Sequence, residues 1–370
     1  MKKIVFMHHV SSVGGGSFCL LNLLKSVDRS LFEPIVLLKE DGPLFKEIEK
    51  LNIRIVLFPQ MDVAPYNKSF KRPGTLLTYL SVYSSRFPLL KKLQKLKPDI
   101  LYLNNSMLYP YLKVAKQIGV KTIIHIREHW PLNEHRYQLH RLQDNIRKYS
   151  DRIVAINEYS AKMVAGPNNT VQVVYDWVDF TNRIKEYNLN EIFGEDVSGL
   201  KIYLYTGGMQ AIKGCREVLK VFSSIKDDKS RLLALGVDYS QREIANILNN
   251  DKRIVPFPYV YEIKNLLEKC YCVLSYFTIP HANLAMAEAI ILKTPVIAAR
   301  TEESEEYSNG GELAILFEIN NINEFRKAIE HFPEQRDILK CQLNRKSAVI
   351  ATKFNKERNA QLFRDLLSTM

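Results

Sequence analysis

KIYLYTGGMQAIKGCREVL, residues Lys201 to Leu219, opens as an apolar run, breaks at Gly207 and Gly208, and resumes near Lys213 or Gly214 with a helical pattern. An apolar run that ends in glycines and passes into a helix is a strand followed by a crossover, the unit from which parallel α/β sheets are built. Glycine lets backbone N–H groups approach an anion, and a helix N-terminus adds free donors and a favourable dipole. Lys213 would add a full positive charge, with Arg216 one turn on. The stretch therefore reads either as a phosphate-binding loop or as a plain strand-to-helix turn.

Outward from this stretch the same grammar fills the chain. Towards the N-terminus the strand-like runs are Lys3 to His8, Glu33 to Lys39, Ile53 to Pro59, Asp99 to Asn104, Lys121 to Ile126, Arg152 to Asn157 and Val171 to Asp176. The pattern breaks at FTNRIKEYNLNEIFGEDVSG (Phe180 to Gly199), which is polar and weakly periodic and reads as a linker. It restarts at Lys201 and continues with Arg231 to Gly236, Arg253 to Pro258, Tyr271 to Phe277, Pro295 to Arg300 and Leu313 to Glu318. The expected fold is α/β, with two facing parallel sheets. The domains would span residues 1–179 and 200–352, with 180–199 between them and a C-terminal helix over 353–370.

Bulk properties agree. A chain of 370 residues exceeds what one core usually serves, and 46% hydrophobic with 25% charged residues is ordinary for a soluble protein. No apolar run approaches the roughly 18 residues of a membrane span. The apolar run of MKKIVFMHHV stops at His8, too soon for a signal-peptide core, so it reads as a first buried strand. Five cysteines without a C-x-x-C pair argue against both a disulfide framework and a zinc site, and so for a reducing, cytoplasmic setting.

Charge is lopsided. The first 180 residues hold 26 Lys+Arg against 15 Asp+Glu, so eleven of the twelve net positive charges lie there. They concentrate in SRFPLLKKLQKLKPD (Ser85 to Asp99), where Leu89, Leu90, Leu93 and Leu96 fall at helical spacing with Lys91, Lys92, Lys95 and Lys97 between them. This is either a helix with a solvated lysine face or a surface for anionic lipid or a phosphate-bearing substrate.

Ligands of open α/β sheets bind beyond the carboxyl ends of the strands. Two further loops there carry chemistry. In TIPHANLAMAEAIILKTPVIAA (Thr278 to Ala299), Asn283 reads as the N-cap of an apolar helix that carries one carboxylate, Glu288. A buried carboxylate is costly without a partner. Phosphate at the cap and a diol at Glu288 would together describe a nucleotide ribose. SSVGGGS (Ser11 to Ser17) lacks G-x-G-x-x-G, and no G-x-x-x-x-G-K-[ST] occurs, which disfavours a dehydrogenase and a P-loop enzyme. The run from His125 to His135 holds several possible metal ligands but no H-E-x-x-H, and no metal is expected.

These segments, in this order, resemble the retaining glycosyltransferases of family 4: Gly14 to Gly16, HIREHW (His125 to Trp130), VVYDWVD (Val173 to Asp179), GGMQAIKG (Gly207 to Gly214), the PHANLAMAEA helix and EEYSNGGELAILF (Glu305 to Phe317). The resemblance implies the GT-B fold, two Rossmann-like domains. It also implies transfer of a sugar from a nucleotide donor, held mainly by the C-terminal half, to an acceptor held mainly by the N-terminal half. By position, Lys213 matches the cation on the donor diphosphate, with Gly207, Gly208 and Arg216 beside it. Glu288 matches the second glutamate of an E-x7-E motif, expected on the ribose. His281, Ala282, Asn283 and Leu284 would offer backbone donors, and Tyr259 and Val260 lie where the base rests. Glu306 matches a glutamate near the donor. His125 matches a histidine near the transferred sugar, with Arg127 and Glu128 lining the cleft; Gly14, Gly15 and Gly16 would leave room for the acceptor. In this fold a C-terminal helix often crosses back onto the first domain.

The sequence departs from the pattern in three respects. Pro280 replaces the first glutamate of E-x7-E and Gly208 the arginine usually paired with the lysine. Glu302 and Glu303 replace the usual glycine pair, in a loop expected to be solvated. The Pro280-His281 pair resembles a polysaccharide-building branch. The reading is thus a metal-independent, cofactor-free transferase in the cytoplasm, peripheral on the inner membrane face, acting on a lipid-linked glycan. A nucleotide-sugar epimerase or a non-catalytic sugar-nucleotide binder are the alternatives; nucleic acid is not expected as a partner, because the basic segment is leucine-rich and lacks interleaved aromatics.

Overall fold

Strands buried on both faces need no polar alternation, and runs rich in Ile, Val and Leu satisfy that condition. The computed structural model describes all residues except 13, 66–72, 131–135, 167–169, 182–184 and 261. The described chain forms two units, Met1–Trp177 with Glu357–Met370, and Val178–Lys356.

The first unit holds β1 (Lys2–His8), β2 (Phe32–Leu38), β3 (Arg54–Leu57), β4 (Ile100–Leu103), β5 (Lys121–Ile126), β6 (Arg152–Ala155) and β7 (Val171–Val173). They pair in parallel in the order β3-β2-β1-β4-β5-β6-β7. The second holds β8 (Lys201–Tyr205), β9 (Ser230–Leu235), β10 (Ile254–Phe257), β11 (Cys272–Ser275), β12 (Val296–Arg300) and β13 (Ile315–Glu318), also parallel, in the order β10-β9-β8-β11-β12-β13. In each sheet the order reverses beside its first strand, between β1 and β4 and between β8 and β11. These switch points are where open sheets leave a crevice for ligands.

Side chains of β1 alternate between two cores, as the period of two requires. Val5 and Met7 join Leu101, Leu103 and Ile124 on one face, while Ile4 and Phe6 join Tyr102, Ile123 and Phe363 on the other. Phe363 belongs to the helix Lys356–Ser368, and its ring meets Tyr102 at 5.7 Å edge-on. Asn359 of the same helix accepts the Tyr175 backbone N–H at 3.0 Å.

The stretch expected as a linker is structured where it is described. Tyr187 is buried, with its backbone N–H on Asn265 Oδ1 at 2.9 Å, and a short helix, Leu189–Phe193, follows between Asn188 and a left-handed Gly194. The basic segment forms the helix Arg86–Leu96, burying Leu89, Leu93 and Leu96. Among the described residues no helix is long and apolar enough to cross a membrane, and all five cysteines are free.

Candidate functional site

In the second unit β8 leads through Gly207 and Gly208 into a single 3-10 turn, Ala211–Lys213, before the helix Cys215–Ser224 begins. Three close approaches set this path. The Tyr205 hydroxyl donates to the carbonyl oxygens of Gly208 and Lys213, both at 3.0 Å. Gly214 sits at φ 65°, and a Cβ there would stand 2.2 Å from the Tyr276 carbonyl oxygen. The Thr278 N–H donates to Ile212 O at 2.9 Å. The loops after β8 and β11 are therefore stitched together across the switch point.

This leaves Lys213 half-buried. Among the described residues no carboxylate or other acceptor pairs with its ammonium group, and burial lowers its pKa below the ordinary lysine value. A desolvated, unpaired cation beside a glycine turn is a place for an anion. The Arg216 guanidinium, three positions on, is exposed and ion-paired with Glu217 at 3.0 Å and Glu243 at 3.7 Å.

After β11, Asn283 caps the helix Leu284–Ile291 by accepting from the Met286 N–H at 3.2 Å, while its Nδ2 donates to Ser275 Oγ at 2.7 Å. That second bond ties the helix start to the strand end. Glu288 lies in this helix at 4% exposure, flanked by the buried Ala287 and Ala289. His281 packs against Phe277, ring centroids 5.7 Å apart; Ala282 and Leu284 complete the turn.

Gly208 at φ 63° lies against Gly236, which follows β9, and Tyr259, which follows β10, covers Gly236 with its ring. Tyr259 is about half exposed and Val260 partly so. Gly236 and Tyr205 were not singled out from the sequence; a glycine closing RLLALG is the one signal that pointed to the former. The acidic stretch expected as a solvated loop is the helix Glu302–Tyr307, closed by a reciprocal cap between Thr301 and Ser304. Glu303 is buried in it, and the Glu306 carbonyl oxygen accepts from Lys353 Nζ at 3.2 Å.

At the switch point of the first unit, the helix Gly15–Ser26 starts from an uncapped, extended Gly14. Among the described residues, nothing but chain neighbours stands within 4 Å of where a Cβ on Gly14, Gly15 or Gly16 would lie. Beside this helix start Asn104 donates to His8 Nδ1 at 3.2 Å and accepts from Arg127 Nε at 3.1 Å. Arg127 grips both oxygens of Asp176 at 2.8 and 2.7 Å, and its Nη2 lies 3.3 Å from His125 Nδ1. His125 Nδ1 is also 2.7 Å from the Tyr102 hydroxyl, and its buried Nε2 has no partner among the described residues. Burial, then the Arg127 charge, hold the His125 pKa well below the usual histidine range, so the ring is neutral. His8 is neutral for the same leading cause.

Glu128 accepts from the Ser106 N–H at 2.9 Å, from Ser106 Oγ and from Asn105 Nδ2, while burial raises its pKa. Of Arg127 and Glu128, expected to line the cleft, Glu128 also shapes the loop after β4 and Arg127 also approaches His125. Asp176 and Asn104, which complete this network, were not assigned from the sequence. Among the described residues no group of His, Cys, Asp and Glu could hold a metal; residues 131–135 of the histidine-rich run lie outside them.

Two family profiles match, one described as Glycosyltransferase Family 4 over residues 13–182 and one as Glycosyl transferases group 1 over residues 201–334. No curated protein sequence is a significant match. Among solved structures, HepE of Anabaena in complex with UDP-glucose is similar over 100% of both chains, with TM-score 0.78 at 16% identity. A glycosyltransferase of Rickettsia africae is similar over 100% of this chain and 99% of its own, with TM-score 0.73 at 16% identity. The lipopolysaccharide outer core galactosyltransferase WaaB is similar over 100% of both, with TM-score 0.62 at 15% identity. With a profile on each Rossmann-like unit and the GT-B architecture over its whole length, the chain belongs to the family 4, group 1 glycosyltransferases, retaining and metal-independent enzymes that draw on a nucleotide-sugar donor.

Proposed function

We propose that the chain moves a sugar from a UDP- or GDP-linked donor to a lipid-linked intermediate of a bacterial surface polysaccharide, such as capsule or lipopolysaccharide, on the cytoplasmic side of the membrane. The observation that carries the donor half is Lys213, a half-buried ammonium without a carboxylate partner among the described residues, at a glycine turn bound to the next loop. Eleven of the twelve net positive charges in the first 180 residues favour an anionic, lipid-diphosphate acceptor.

Cleavage of the bond between the sugar and the diphosphate leaves positive charge on the sugar and negative charge on the departing phosphate. Fixed cations and backbone donors at the phosphate stabilise that separation without reorganisation. Lys213, the Gly207-Gly208 turn and the N-terminus of the Leu284–Ile291 helix take this role, with His281, Ala282, Asn283 and Leu284 supplying the turn. Glu288 accepts the ribose hydroxyls, the Tyr259-Val260 edge carries the base, and Glu306 stands near the donor. His125, neutral, offers its unpartnered Nε2 to a sugar hydroxyl. The acceptor hydroxyl forms the new bond on the face the phosphate leaves, and the leaving phosphate oxygen takes its proton. Gly14 to Gly16 leave space for the acceptor.

Since HepE of Anabaena is known in complex with UDP-glucose, that donor is the first to test. Thermal unfolding is followed against UDP, GDP and their sugar conjugates, for the parent and for Lys213→Ala and Glu288→Ala. A ligand at ~100 times its dissociation constant stabilises by about 2.7 kcal/mol. One nucleotide stabilising the parent and neither variant supports the reading; stabilisation by none counts against it.

A further inference from the structure

The helix Pro73–Ser84 is apolar on two sides. It buries Thr75, Tyr79 and Val82 and turns Leu76, Leu77 and Leu80 outward, at 54%, 64% and 59% exposure. Phe87, at the start of the next helix, is 63% exposed, with Lys91 Nζ 4.6 Å from its ring centre. Tyr137 is also 62% exposed, and Arg141 lies over Tyr79, Tyr83 and Tyr137 at 5.0, 5.6 and 5.8 Å and donates to the Tyr83 hydroxyl. Soluble proteins rarely expose leucines in such a group unless something covers them.

Charge identifies the occupant. From Pro73 to Pro98 the sequence has Arg86, Lys91, Lys92, Lys95 and Lys97 and no carboxylate. Among the described residues, none of these five nor Arg141 is in an ion pair, whereas cations elsewhere in the chain, such as Lys39, Lys201 and Arg231, are. Apolar side chains standing out among unpaired cations match an anionic lipid interface, where leucines enter the acyl boundary and lysines stay at the phosphates. A second copy fits worse, because a two-fold contact through this face would set like charges against each other.

We infer that the exposed Leu76, Leu77, Leu80 and Phe87, with the exposed Lys91 and Lys95 on the helix at whose start Phe87 stands, insert into the interface of an anionic membrane. Attachment therefore has an apolar part that salt does not screen, beyond the attraction expected from net charge alone. The inference stands on this face and not on the transfer reaction, and nucleotide binding reports on the latter separately.

The test is co-sedimentation of the full chain with vesicles of phosphatidylcholine, with and without phosphatidylglycerol, at low and high salt. The parent should bind the anionic vesicles and retain a measurable part of that binding at high salt. Leu76→Ser/Leu77→Ser/Leu80→Ser should lose the salt-resistant part, with a drop of about tenfold or more in partitioning. Lys91→Glu/Lys95→Glu should weaken binding mainly at low salt. All five positions are exposed, and unchanged circular dichroism with unchanged nucleotide-induced stabilisation certifies folding. Failure of the parent to bind anionic vesicles overturns the inference, as does a serine variant that binds like the parent at high salt. A parent that is dimeric without lipid and becomes monomeric in the serine variant overturns it in favour of a copy-to-copy contact.

Discussion

The hydroxyl of Tyr205 donates to the carbonyl oxygen of Lys213 at 3.0 Å, so the end of β8 fixes the backbone from which that cation projects. Tyr205→Phe keeps the ring and removes the tie. Donor-nucleotide affinity should fall about five- to tenfold, corresponding to about 1 kcal/mol for one hydrogen bond, with a small change in melting temperature. Calorimetric titration with UDP or GDP reads it, and unaltered affinity would show that other contacts suffice to hold the loop.

Gly214→Ala asks for two things the structure refuses: a side chain at φ 65°, and a methyl group 2.2 Å from the Tyr276 carbonyl oxygen. Strain and overpacking together should cost about 3 kcal/mol. Urea unfolding that matches the parent would disprove the tight seam between the loops after β8 and β11.

Lys213 predicts opposite pH trends with and without ligand. Its folded pKa is lowered by burial, so between that value and the ordinary one the unfolded chain binds more protons, and this residue's contribution to stability rises with pH. Nucleotide binding needs the charged form, so affinity should decline with rising pH at a pH below the usual lysine range. Lys213→Arg, which stays protonated, should move that decline upward. Titrations in which parent and arginine variant lose affinity at the same pH would remove Lys213 from the anion site.

Asp176 answers a buried cation. Removing one partner of such a pair typically costs about 3–5 kcal/mol, because the other is left desolvated and unpaired. Asp176→Ala should therefore unfold at markedly lower denaturant, and Arg127→Met/Asp176→Leu should recover most of the loss. A single variant as stable as the parent would show that Asn104 and His125 suffice to hold Arg127.

His9 sets an acid limit. Burial, then Lys39, lowers its pKa from 6.5 to about 4. Between those values the unfolded chain binds the extra proton, so stability falls as pH drops below the unfolded value and the loss is complete below the folded one. At pH 5 the loss reaches at most about 2 kcal/mol, since part of the ring stays exposed. His9→Gln should flatten the melting temperature between neutral and mildly acid pH; an unchanged slope would assign the effect to His8 and His125.

The strands were legible because each is a short apolar run bounded by polar or glycine residues, a signal contained within a few positions. Asn283 was legible as a cap for the same reason. The Arg127–Asp176 pair spans 49 residues, and nothing local to either end announces the other. Glu303 misleads for a related reason: its neighbours are acidic, yet Thr301 and Ser304 cap a helix that turns it inward. Arg216 follows Lys213 by three positions, but the left-handed Gly214 between them ends one turn and starts the next helix, so helical spacing does not relate the two.

The helix Lys356–Ser368 has a consequence for biosynthesis. Its Phe363, Leu366 and Leu367 complete a core whose other walls are made from residues near the N-terminus, such as Ile4 and Phe6. Domains usually fold in the order in which they leave the ribosome. Here the first unit to emerge has Leu20, Leu24 and Leu44 on that face from the start but lacks the last part of its core until the whole second unit has been translated. The part of the chain that begins first is finished last.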